Sequence, residues 1–283
     1  MATAGAVLAA TASGGWYLGN TRGKAAIMVL PSTPPPTVQA PSAQPSMVAS
    51  PSIPPVPTVD LAVEGWVSWA LLDRVTGDLF SSENSTEQNN TASMIKSWLA
   101  ADYLRRMAER NSKPSADKLS DLSEMIRDSE NAPASEVFAE LGRSATISRM
   151  NALCGTSASA GDGFGRTQMS AQDACHLAHH LGSGTAAGPQ WTDWLLNEMR
   201  NVRGDGDFGI RKAFPQADQS DIAIKNGWDT WSPTDNWTVN CLALTQGWAM
   251  SVLTRYPENL GMEHGMSVTE AVASQLITTS RLL

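Results

Sequence analysis

From Asp60 onward the chain changes periodicity twice, and the order of those changes limits its fold more than any other feature. Trp66-Val67-Ser68-Trp69-Ala70-Leu71-Leu72 reads as a strand, residues 73–78 as a turn, and Leu79-Phe80 as the start of a return strand. Over 91–110 the period becomes helical, with Met94, Ile95, Trp98, Leu99, Tyr103, Leu104 and Met107 on one face. Further helices are predicted over 114–127, 134–142, 170–181 and 191–200, each opened or closed by Ser, Thr, Pro or Gly. Strand character returns at 222–225, 238–244 and 248–253, and a last helix fits 268–282. Strands at both ends with helices between them imply an α+β fold: one sheet built from both chain ends, with an inserted all-α lobe beside it. The cleft between sheet and lobe is the natural place for a site.

The chain before Asp60 cannot supply such a core. Residues 2–21 carry no charge and are mostly small and apolar. They fall short of the about 20 apolar residues of a membrane span and lack the basic start of a secretory signal. Residues 1–30 are therefore read as the tail of an export signal or membrane anchor whose upstream part is missing, with a disordered alanine-rich tail as the alternative. Ten of the 16 prolines lie between Pro31 and Pro57, a stretch without glycine, and no charge intervenes between Lys24 and Asp60. Such a segment favours polyproline II, so a linker over 31–59 could reach on the order of 90 Å. A stiff uncharged spacer suits a domain, 60–283, held away from a membrane in the cell envelope or exported beyond it. The expected protein is a monomer tethered through its N-terminus.

Charge excludes one class of partner. All 28 acidic residues lie at Asp60 or later, against 20 Lys and Arg in the whole chain, and nucleic acid is not an expected partner because phosphate tracking needs clustered cations. Cys154, Cys175 and Cys241 form no C-x-x-C pair, which leaves one disulfide plus a thiol, or three thiols. Gly204-Asp205-Gly206-Asp207-Phe208-Gly209 spells G-x-G-x-x-G but follows no strand, so it reads as a turn. His176, His179 and His180 share a helix with no acidic partner at ligand spacing, and no cofactor or metal is expected.

Lysine is scarce, with six in the chain, and two of them sit in an ordered constellation. Ser93-Met94-Ile95-Lys96 heads the tryptophan-bearing helix, and three-residue spacing puts hydroxyl and amine on one face. A neutral lysine can take the proton that makes a serine hydroxyl nucleophilic. Ser129-Glu130-Asn131 follows the second helix, where Ala132-Pro133 breaks it. Lys225-Asn226-Gly227 ends the apolar run Ile222-Ala223-Ile224, setting a cation and a glycine on a strand. Two look-alikes are set aside: Ser115-Ala116-Asp117-Lys118 reads as a helix cap, and Ser82-Glu83-Asn84 precedes the nucleophile and breaks the order.

Ser-x-x-Lys, Ser-x-Asn and Lys-x-Gly in this order resemble the serine β-lactamase and penicillin-binding-protein superfamily, nearest its class A-like members. Met125-Ile126-Arg127-Asp128-Ser129-Glu130-Asn131-Ala132, Ile222-Ala223-Ile224-Lys225-Asn226-Gly227-Trp228 and Arg166-Thr167-Gln168-Met169-Ser170 resemble the flanking segments. The likeness covers about the last four-fifths of the chain and implies a five-stranded antiparallel sheet with flanking helices and an all-α lobe. Glu130 stands for the usual Asp, Asn226 for the usual Thr or Ser, and the stretch from Ser93 to Ser129 is short.

The resemblance implies a serine hydrolase or acyltransferase acting on β-lactams or the D-Ala-D-Ala ends of peptidoglycan stem peptides. Ser93 would be the nucleophile and Lys96 the base, its pKa lowered by burial against the Trp98 face and by Lys225. Ser129 would relay a proton to the leaving nitrogen, and the amides of Ser93 and Trp228 would form the oxyanion hole. Asn131 would hold Lys96 and the substrate amide, Lys225 the substrate carboxylate with weaker help from Asn226, and Gly227 would let the backbone approach the substrate. Class A enzymes carry a glutamate in an E-x-x-L-N loop to activate water. Here no acidic residue lies between Glu140 and Asp162, and the matching region reads Arg149-Met150-Asn151-Ala152-Leu153-Cys154-Gly155. Deacylation is therefore expected to be slow. Two other readings remain: a non-catalytic envelope-binding protein that keeps the fold, and an esterase that needs Ser93 and Lys96 but not Lys225.

Overall fold

The structure is a computed structural model that describes residues 57–231 and 233–280. The apolar N-terminal segment, nearly all of the proline-rich linker and the last two residues of the predicted final helix lie outside the described residues. No helix among the described residues is long and apolar enough to cross a membrane.

One antiparallel sheet is indeed built from both ends of the folded region. Strand β1 (Trp66–Asp73) pairs with β2 (Leu79–Ser81) across the predicted turn on one side. On the other it pairs along its whole length with β8 (Trp248–Pro257), the last strand of the chain. β8 pairs with β7 (Asn236–Leu244) through a tight turn at 245–247. The outer edge of β7 is covered in succession by β5 (Ala223–Ile224) and β6 (Gly227–Trp231). The sheet thus has five positions, and the fifth is broken at Lys225-Asn226. Residues 227–231, outside the strands that the sequence predicts, are also strand, and β6–β7 is a hairpin.

Helices cover both faces. In β7, Val239 and Cys241 face α7 (Gly261–Thr279), where Gly265 packs so tightly that a Cβ would stand 2.6 Å from that of Val239. In β8, Ser251 pairs with Leu242 and donates to Ala171 O at 2.6 Å on α5 (Ala171–Gly182). Alternation along a strand sends these two sets of side chains to opposite faces. Both faces of β7 are buried from Thr238 to Leu244, which is why Cys241-Leu242-Ala243-Leu244 does not alternate with polar residues. Ser170 caps α5 by a capping box with Asp173. α7 begins seven residues earlier than the sequence suggests, because Gly261 and Gly265 obscure its periodicity.

The lobe contains α1 (Lys96–Glu109), α2 (Ala116–Arg127), α3 (Asn131–Glu140), α4 (Ser144–Cys154) and α6 (Thr192–Arg200). Helix α2 starts on the Ser115 hydroxyl, which accepts from Lys118 N at 3.2 Å, so this Ser-x-x-Lys is a cap. Helix α3 starts at Asn131 rather than 134, with Pro133 in its first turn, where a missing N–H costs nothing. Helix α4 was not expected: its segment was matched to a catalytic loop. Its buried face carries Ile147, Met150 and Cys154, at helical spacing, and its docking is polar. Asp102 of α1, fully buried, accepts from Thr146 Oγ1 at 2.7 Å and from Arg149 Nε at 2.9 Å. A short two-stranded sheet, β3 (Gln88–Asn90) with β4 (Gln168–Ser170), was also unforeseen; at three residues each, neither strand shows a period. The glycine-rich segment at 204–209 forms 3₁₀ turns, and the three cysteines are buried free thiols.

Candidate active site

Ser93 sits not on an α-helix but on a 3₁₀ turn, Ala92–Ile95, that runs into α1. The turn opens with Ala92 at φ 46°, an uncommon conformation for a residue with a side chain. It is held by the Met94 N–H to Thr91 O bond at 3.1 Å and by close contact with β6. At Gly227 a Cβ would lie 2.4 Å from Thr91 O, 2.5 Å from Met94 N and 2.7 Å from Ser93 N, so no other residue fits without moving backbone. Ser93 is half-buried at the wall of a cleft of about 420 Å³.

Lys96, one turn on, is fully buried. Its Nζ donates to Ser129 O at 2.5 Å and to Asn131 Oδ1 at 2.8 Å, with the Phe164 ring centroid 5.1 Å away. Burial lowers its pKa to about 7, against the opposing pull of Glu130. Burial is the leading cause, as the sequence suggests. A neutral amine has two N–H groups and one lone pair. In the neutral form the bonds to Ser129 O and Asn131 Oδ1 use both N–H groups and leave the lone pair for a proton. No hydrogen bond among the described residues joins it to Ser93.

Ser129 links α2 to α3 with φ 62°, a left-handed conformation that turns its hydroxyl toward β5 and β6. Its Oγ accepts from Lys225 Nζ at 2.9 Å, and Lys225 also donates to Asn226 O at 3.0 Å. Lys225 is fully buried, and burial first, then the charge of Lys96, holds its pKa well below the usual lysine range. Ser93, Ser129, Asn131 and Trp228 therefore border one cleft, whereas Lys96, Lys225 and Gly227 lie in or behind its wall.

Two expectations need correction. Lys225 does not line the cleft; its amine is spent orienting Ser129 and closing the strand break. Asn226 does not face the cleft as a hydrogen-bonding threonine would, because its Nδ2 donates to Gly206 O at 3.0 Å and Phe208 O at 2.8 Å. The longer side chain reaches the glycine-rich turn instead, and leaves Asn226 Oδ1 buried without a partner.

Three lining residues carried no functional signal in sequence. Phe164 and Arg166 come from the turn Phe164–Arg166, and Asp229 from β6. Arg166 pairs with Asp229 at 3.2 Å and lies 3.9 Å from the Trp231 ring centroid. Chemically, the cleft is lined by three serines, Ser93, Ser129 and Ser135; the Ser129 hydroxyl is bonded to the buried Lys225 amine, and behind the wall lies Lys96 with a pKa of about 7. That suits nucleophilic attack with proton transfer.

No protein-family model matches this chain, and no curated protein matches it in sequence. Its fold is nonetheless found in solved structures. A β-lactamase from Chitinophaga pinensis superposes with a TM-score of 0.62 at 16% identity, covering 75% of this chain and 92% of that one. A class A β-lactamase from Mycobacterium abscessus gives 0.60 at 16%, covering 76% and 94%. The TLA-3 extended-spectrum β-lactamase gives 0.64 at 14%, covering 76% and 92%. The chain has the serine β-lactamase-like fold.

Proposed function

We propose that this chain is a serine hydrolase or acyltransferase that opens β-lactams or D-Ala-D-Ala-type peptides through an acyl-enzyme on Ser93. The observation that carries this reading is Lys96, buried one turn from Ser93 with both N–H groups engaged and a pKa of about 7. In the proposed reaction Ser93 Oγ forms a bond to the substrate carbonyl carbon as its proton passes to the Lys96 lone pair. The carbonyl oxygen takes up negative charge toward the amides of Ser93 and Trp228. The C–N bond then breaks, and Ser129, oriented by Lys225, hands its proton to the leaving nitrogen and takes up in its place the one that Lys96 received from Ser93. Water or an acceptor amine later releases the acyl group.

Deacylation is slow in this reading because the one carboxylate among the described residues lining the cleft, Asp229, is paired with Arg166. The segment matched to the water-activating loop is helix α4, and Phe164 stands over Lys96. Such behaviour belongs with penicillin-binding proteins or a very poor lactamase, in the cell envelope. The alternative, a domain that binds envelope components without turnover, draws support from the missing Ser93–Lys96 hydrogen bond. Exposure to a fluorescent penicillin followed by denaturing electrophoresis decides between them. A covalent band that disappears in Ser93→Ala supports the enzyme; no band in the intact chain supports the binding protein.

A further inference from the structure

Carboxylate-bearing substrates need a cation they can touch, and neither lysine of the constellation provides one. Lys96 and Lys225 are fully buried, and Lys225 already donates to Ser129 Oγ and Asn226 O. Among the described residues lining the cleft, Arg166 is the single cation. Its guanidinium lies 3.9 Å from the Trp231 ring centroid, a stacking that fixes the plane of its five N–H donors. Its side chain is 30% exposed, and its partner Asp229, on β6, is 45% exposed.

We propose that Arg166 anchors the substrate carboxylate, which takes over the guanidinium from Asp229. This rests on the acyl-enzyme reading only in its choice of a carboxylate-bearing substrate. Exchanging one carboxylate for another leaves the charge on Arg166 balanced, and Asp229, nearly half exposed, returns to water. An ion pair this open holds its partner weakly, so displacement costs little. Planar, two-pronged recognition is what a guanidinium offers and an ammonium does not. Trp231 sets the orientation in advance, so little side-chain freedom is lost on binding. Asp229 then acts as a resident competitor that keeps neutral ligands from gaining by Arg166 and sets a threshold for anionic ones.

The roles of the two residues make opposite predictions, which a purely structural ion pair would not. The test is equilibrium binding of benzylpenicillin and of its methyl ester to the full chain carrying Ser93→Ala, which removes covalent capture. The free acid should bind about tenfold or more tighter than the ester, the scale of one charged hydrogen-bonded contact. Adding Arg166→Gln should collapse that ratio toward one, and Arg166→Lys should restore part of it. Adding Asp229→Asn should raise it. The proposal is overturned if the ratio survives Arg166→Gln, if the parent shows no preference, or if Asp229→Asn lowers the ratio as Arg166→Gln does. The acyl-enzyme reading fails separately: the chain with Ser93 intact would show this preference yet form no covalent adduct with penicillin.

Discussion

Gly227 supports Ser93 from behind: a methyl group on Gly227 would stand 2.7 Å from the Ser93 amide nitrogen and 2.4 Å from Thr91 O. Both contacts are with backbone, so nothing flexible can yield. Gly227→Ala should destabilise the fold by about 1–3 kcal/mol, the usual cost of overpacking. It should also tilt the turn Ala92–Ile95 and weaken penicillin labelling. Denaturant melts and labelling with wild-type values would show that the contact does not matter.

Lys96 sets a pH dependence. With its pKa lowered to about 7, the amine gains its lone pair as pH rises through that value. Acylation should therefore fall roughly tenfold per pH unit on the acid side of the pKa and level off above it. Lys96→Arg, which keeps a proton at all usable pH values, should abolish it. Stability has the same sign. Between about 7 and the ordinary lysine range the unfolded chain binds more protons than the folded one, so stability climbs with pH there. Below that window the full burial penalty is present. Lys225, also lowered, adds to the slope. Acylation that is flat from pH 5 to 9 would remove Lys96 as the base.

The acyl-enzyme should last. Without general-base assistance, worth ~10²–10⁴-fold, the adduct with a penicillin should persist for minutes or longer. Intact-protein mass spectrometry after mixing should show the added mass on nearly every molecule. Rapid turnover with no adduct would mean that another base, such as Asp229 or Asp162, activates water.

Asn226 should matter for stability rather than for ligand charge. Asn226→Ala leaves Gly206 O and Phe208 O without their donor and should cost about 2–3 kcal/mol, the penalty of unpaired buried acceptors. The preference for a free acid over its ester should stay as in the parent. A drop in that preference with unchanged stability would return Asn226 to the binding site.

The α+β fold, the sheet built from both chain ends and the order of the site segments were legible in sequence, because strand and helix periods are local properties. Trp66 to Leu72, Met94 to Met107 and the Ser115 cap all show themselves within a few residues. Helix α4 was hidden by a family likeness, although Ile147, Met150 and Cys154 already had helical spacing. β3, β4 and β6 were too short, or too polar, to show a period before a partner strand paired with them. The identities of Ser93, Lys96, Ser129 and Asn131 were also readable, but not which of them face the cleft. Only packing decided that Lys225 lies sealed behind Ser129, that Asn226 turns to the glycine-rich segment, and that Arg166 and Asp229 pair in the lining of the cleft. The reason is physical: residue type and spacing are written along the chain, whereas exposure and hydrogen-bond partners are set by segments brought together from far apart in sequence.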